Sequence, residues 1–226
     1  MRMKLAIWRA ITGWLLPPKI SELISKALTF SFSRTDKVVK REDLWEPYKG
    51  EEWSLLVMAL KDASSYLEFG CGLSTEFVSN SYECRVRSVD TSADWVAKIQ
   101  AKVNEDVEIL YINLGPVGRW GRPVSYDYHE QFARYFDAGF DGGFSPDAIL
   151  VDGRFRVACF LTSLLRASPG TMIVFDDFPT RPHYRIVEEI LKPEIVSSRQ
   201  ALFVRPDSID VSRVEALRER FTHVMD

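Results

Sequence analysis

The residues of this 226-residue chain best suited to chemistry lie in Tyr66-Leu-Glu-Phe-Gly-Cys-Gly-Leu-Ser-Thr75, an apolar run entering a Gly-x-Gly turn and then a helix. Gly70 and Gly72 let the backbone approach a ligand closely, and Ser74 or Thr75 can cap the helix. Cys71 reads as a small neutral side chain, because no basic partner adjoins it. Twenty positions after Gly70 a second apolar run ends in Asp90, where a carboxylate can accept hydrogen bonds from both hydroxyls of a ribose. That spacing points to an adenosine-bearing cofactor.

Charge distinguishes the candidates. A dinucleotide places its pyrophosphate at the helix N-terminus and wants a third small glycine there, whereas this chain has Thr75, with Glu76 beside it and Glu68 on the strand. Both acids repel phosphate. S-adenosylmethionine has no phosphate and presents an ammonium and a sulfonium, so the same acids become favourable.

Leu67-Glu-Phe-Gly-Cys-Gly-Leu-Ser-Thr75 resembles the first motif of class I S-adenosylmethionine-dependent methyltransferases, and the similarity extends through Asp90, Val151-Asp-Gly153 and Phe175-Asp-Asp177. The resemblance implies that Glu68 and the Gly70–Gly72 backbone hold the methionine end, with Cys71, Ser74, Thr75 and Asp152 as further cofactor-site candidates. Asp90 would take the ribose and the Asn113–Gly115 stretch would lie by adenine.

A second group of candidates is acidic. Asp152, Asp176 and Asp177 end predicted parallel strands, the edge where open α/β sheets bind ligands, and three carboxylates there need a cation or arginines between them. The arrangement is similar to that of metal-dependent catechol-type O-methyltransferases, which implies a divalent metal. Arg154 and Arg156 offer the other solution, which we favour, so no metal ligand is assigned. Cations in a first helical turn oppose the macrodipole and call for anions nearby. Arg154, with Asp177 and Trp120, is therefore expected to bind the acceptor, a small and anionic molecule. Methyl transfer to oxygen or nitrogen usually needs a base, for which His183, Tyr184 and Asp152 are the candidates, with His129 behind them.

These residues must be positioned by an alternation of short β-rich runs and helical segments, which predicts a three-layer α/β Rossmann-like fold with a mostly parallel twisted sheet. Strands are expected at Tyr66–Phe69, Val86–Val89, Val107–Ile112, Ala148–Val151 and Met172–Phe175, with helices over Ser74–Ser81, Ala93–Val103 and Arg156–Ala167. A helix over Glu51–Asp62 should precede them. A helix near Tyr184–Leu191, an edge hairpin at Ile195–Val204 and a helix over Val211–Phe221 complete the pattern. The aromatic-rich insertion 113–146 reads as a lid, helical in part over Tyr128–Asp137 and hinged at the glycines around Trp120.

Residues 1–50 read as an N-terminal helical extension to the 51–226 domain, with an amphipathic helix over Lys4–Leu16 ended by Pro17-Pro18 and another over Ile20–Ala27. The first packs on the domain or on a second copy; its basic, Trp-containing character also suits a membrane surface. The uncharged run Ala10–Pro18 is far shorter than the roughly 20 residues of a bilayer span. With 29 Lys+Arg against 32 Asp+Glu there is no global basic field, so nucleic acid is not the expected partner. Three cysteines without CxxC pairing suit a reducing cytoplasm. Two other functions compete with methyl transfer: an NAD-type oxidoreductase on a related fold, and a non-catalytic adenosyl-ligand binding module.

Overall fold

The computed structural model describes residues 53–226; the expected N-terminal helices lie outside the described residues. Helix α1 (Ser54–Leu60) leads into β1 (Ser65–Phe69), α2 (Leu73–Ser81), β2 (Arg85–Asp90), α3 (Ala93–Gln100) and β3 (Glu108–Tyr111). After the insertion, whose α-helix is α4 (Phe132–Asp137), come β4 (Ala148–Val151), α5 (Arg156–Arg166) and β5 (Met172–Asp176). A 3-10 segment over Pro182–Glu189, the short β6 (Ile195–Val196), β7 (Gln200–Val204) and α6 (Val211–Phe221) close the chain.

The strands form one sheet in the order β3-β2-β1-β4-β5-β7-β6. β1 to β5 pair in parallel, while β7 runs antiparallel to both β5 and β6. This is the expected mostly parallel α/β sheet with an edge hairpin. β1 and β4 are buried along their whole length because helices cover both faces, which is why β4 reads as a continuous apolar run, while β1 buries Glu68 within its apolar residues. Connections leave β1 toward β2 on one side while β4 lies on the other, so the strand order reverses between them and opens a crevice at their carboxyl ends.

The insertion corrects the expectation of a lid over its whole length. From Phe132 onward it is core: Phe132, Tyr135, Phe136, Phe140 and Phe144 are buried, with Phe69 packed against Tyr135 and Phe140 at ring separations of 6.2 and 6.4 Å. Arg87 on β2 ties this segment to the sheet, donating to the carbonyls of Gly139 at 3.2 Å and Asp141 at 2.7 Å. The earlier part is a tight turn with Val117 bridged to Pro123. At its tip Trp120 is 73% exposed, so it is no core residue.

Among the described residues no helix is long and apolar enough to cross a membrane. Cys71, Cys84 and Cys159 are all free thiols.

Candidate active site

Gly70 follows β1 with φ +95°, a conformation that favours glycine, and its N–H donates to the Val89 carbonyl at 2.8 Å. A Cβ here would come within 2.6 Å of the Cα of Gly153, beyond β4, so two glycines let the two central strand ends touch. The turn is braced from behind. The Gly72 N–H donates to Thr75 Oγ1 at 2.8 Å, the Thr75 hydroxyl donates to Glu68 at 2.5 Å, and the Ser74 hydroxyl donates to the other Glu68 oxygen. Glu68 is fully buried, and burial raises its pKa to about 7 against the pull of those two hydroxyls.

Asp90 ends β2 beside this turn. Its carboxylate accepts from the amides of Cys71 at 3.2 Å and Ser92 at 2.9 Å, and burial pushes its pKa upward while those amides oppose the shift. The indole N–H of Trp95 donates to the Cys71 carbonyl at 2.7 Å, fixing the ring beside the turn.

The acidic strand ends do converge: Asp152, Asp176 and Asp177 each offer an oxygen, all within 4.8 Å of one another. Guanidinium groups occupy them. Arg156 donates to Asp152 at 2.8 Å and Asp177 at 3.2 Å, and also to the carbonyls of Gly153, Asp176 and Asp152. Arg199 forks onto both oxygens of buried Asp176 at 2.9 and 2.8 Å, and Arg181 takes Asp177 at 2.8 Å. A hard cation would have to displace these arginines, so the donor set does not fit a divalent metal.

Arg154 is not the partner of this cluster, contrary to the sequence expectation. Phe155, at φ +53°, turns the chain between the two arginines and leads into α5. Arg156 is buried and bonded at every nitrogen of its guanidinium, whereas Arg154 makes no ion pair among the described residues and its buried Nε has no hydrogen-bond partner. Asp177 is likewise left-handed, at φ +57°. Such backbones cost on the order of 1–3 kcal/mol each and cluster where side chains must be aimed.

One cavity of about 810 Å³ collects these groups at the carboxyl edge of the sheet. Gly70, Cys71, Gly72, Ser74 and Asp90 line one part; Asp152, Gly153, Arg154 and Asp177 line another, with Trp120 also at the wall. Its volume lies in the range, about 300–1,000 Å³, of sites for small ligands and cofactors.

No protein-family model matches the chain, and no curated protein matches it. Among solved structures it is similar to a methyltransferase-like protein from Silicibacter pomeroyi, 29% identical, with a TM-score of 0.67 and coverage of 83% of this chain and 97% of the other. The chain therefore has the Rossmann-like α/β fold of that methyltransferase-like protein. It also shares its fold with a cofactor-bound protein from MTB at 15% identity and a TM-score of 0.51, covering 89% of this chain and 97% of that one.

The remaining sequence candidates fall outside the cavity wall. Glu68 and Thr75 lie behind the turn and brace it. His183 is exposed on the 3-10 segment, and buried Tyr184 accepts from Arg181 at 3.2 Å beneath the arginines. Neither lines the cavity, because the register of that segment turns Tyr184 into the core and His183 to solvent. His129 is also exposed, its ring tilted against that of His223. Arg181, Arg199, Trp53 and Trp95 line the cavity without having been singled out in the sequence. For Arg199 a signal exists: a hairpin returning antiparallel to β5 brings the residues before β7 to Asp176, whose partner in register is Gln200.

Proposed function

We propose that the chain transfers the methyl group of S-adenosylmethionine to a small anionic acceptor. The observation that carries this reading is the meeting of the Gly70–Gly72 turn, Asp90 and the unpaired Arg154 in one cavity at the strand reversal. The turn and Asp152 receive the methionine end, Asp90 the ribose hydroxyls, and Ser92 and Trp95 flank the adenosine. Glu68 acts through Ser74 and Thr75 to hold the turn in shape. The acceptor enters at Arg154 and Asp177, with Trp120 over the opening.

Glu76 in the first turn of α2 weighs against a pyrophosphate-bearing cofactor at the same place. The test is a competition between the two cofactor classes. S-adenosylmethionine and S-adenosylhomocysteine should bind in the calorimeter, whereas NADH fluorescence should not respond to the protein. Binding of NADH and neither adenosyl ligand would replace this reading with the oxidoreductase one. Tight adenosyl binding with no labelled methyl transferred to any small acceptor would favour a binding module.

A further inference from the structure

We propose, on the basis of the methyl-transfer reading above, that the methylated atom is a carboxylate oxygen and the product a methyl ester. Two features of the cavity point there. The first is Arg154: a residue of the cavity wall, its buried Nε without a partner, two residues from an arginine whose nitrogens are all engaged. Asp226 attracts it through space but forms no ion pair with it, and accepts a hydrogen bond from the Arg156 amide instead. A guanidinium fork matches the planar oxygen pair of a carboxylate.

The second feature is that the acids of this region are engaged. Asp152 and Asp177 are paired with Arg156, and Asp177 also with Arg181. Asp90 accepts two backbone amides at the cofactor end. Among the described residues the wall carries no histidine, lysine or tyrosine. An alcohol or an ammonium must lose a proton before or during attack, and so needs a base. A carboxylate is already ionised at neutral pH and needs none.

The step balances without a proton. A carboxylate oxygen donates a lone pair to the methyl carbon while the carbon–sulfur bond breaks and its electron pair returns to sulfur. The sulfonium becomes a neutral thioether, S-adenosylhomocysteine, and the carboxylate becomes a neutral ester. Removing both charges from water inside the cavity favours this charge-cancelling step. The Arg154 fork orients the carboxylate, and a lone pair left free on one of its oxygens attacks the methyl carbon.

The full chain is incubated with methyl-labelled S-adenosylmethionine and, in separate reactions, benzoate, indole-3-acetate, hexanoate, their matched alcohols and amines, and a small-metabolite extract of bacterial cells. Esters release labelled methanol in alkali; ethers and methylamines do not. The expected result is alkali-labile label from acids or extract, at a rate unchanged between about pH 8 and pH 6, where a carboxylate stays ionised. Arg154→Gln should raise KM for the acid at least about tenfold with kcat little changed, and Arg154→Lys should restore part of it. S-adenosylhomocysteine binding by Arg154→Gln, equal to that of the parent, verifies that the variant is folded. Alkali-stable label overturns the ester assignment and leaves methyl transfer standing. An absence of labelled product from every acid and the extract while S-adenosylhomocysteine still binds also overturns the ester assignment, and methyl transfer then stands only if an alcohol or amine is labelled. Failure to bind the adenosyl ligands at all would defeat the underlying reading instead.

Discussion

The Asp226 carboxylate accepts a hydrogen bond from the backbone N–H of Arg156 at 3.0 Å, across 70 positions of sequence. Helix α5 begins at Arg156 after Phe155, which supplies no side-chain cap, and carries no acid in its first turn. Asp226 therefore does the work of a capping residue from afar, placing an anion at a helix N-terminus otherwise occupied by cations.

Asp226→Ala should remove this cap. The expected loss is about 1 kcal/mol, or roughly 2–4 °C in Tm for a domain of this size. Asp226→Asn, which keeps the acceptor oxygen and loses the charge, should fall between. A thermal melt monitored by circular dichroism measures it, and equal melting of all three proteins would show that the cap contributes nothing.

Gly153→Ala should be poorly tolerated. Its Cβ would collide with the Tyr135 hydroxyl and come within 2.8 Å of both the Gly70 nitrogen and the Phe69 carbonyl carbon. Overpacking of this kind costs typically about 1–3 kcal/mol. Adding Tyr135→Phe should not rescue the variant, because two of the three close atoms are backbone. Full rescue in urea melts would mean that the two strand ends are not held as close as described.

Glu68 gives a pH dependence with a definite sign. Its folded-state pKa is raised to about 7 from 4.5 by burial, so the folded protein binds the proton more tightly than the unfolded chain. The contribution to stability is fully present below about pH 4.5 and is lost as pH rises from there to about 7, by roughly 3 kcal/mol at most. Glu68→Gln should flatten that part of the stability profile. Denaturant melts from pH 4.5 to 8 check it; an unchanged slope in the variant would mean that another group carries the dependence.

Much of the fold was legible because its signals are local. β4 (Ala148–Val151) and α6 (Val211–Phe221) have the bounds that apolar runs and helical periodicity suggest, and Gly70, Gly72 and Asp90 stand where strand ends put them. What local pattern could not convey was the partner of each charge. Arg154 and Arg156 are two apart in sequence, yet the left-handed Phe155 between them sends one into a saturated acidic cluster and leaves the other open. Arg199 and Asp226 reach the same region through long-range folding. The insertion misled for a related reason: its aromatics suggest a cover in sequence, but Phe132 and Tyr135 pack against Phe155 at ring separations of 5.0 and 5.7 Å.

If the Gly70–Gly72 turn and Asp90 form an S-adenosylmethionine site, calorimetric titration with S-adenosylhomocysteine will detect it. The expected result is saturable binding to one site per chain, weakened at least about tenfold in Asp90→Ala, since a hydrogen bond to a carboxylate is worth about 1.5–3 kcal/mol. No heat of binding to the folded protein, or undiminished affinity in Asp90→Ala, would contradict it.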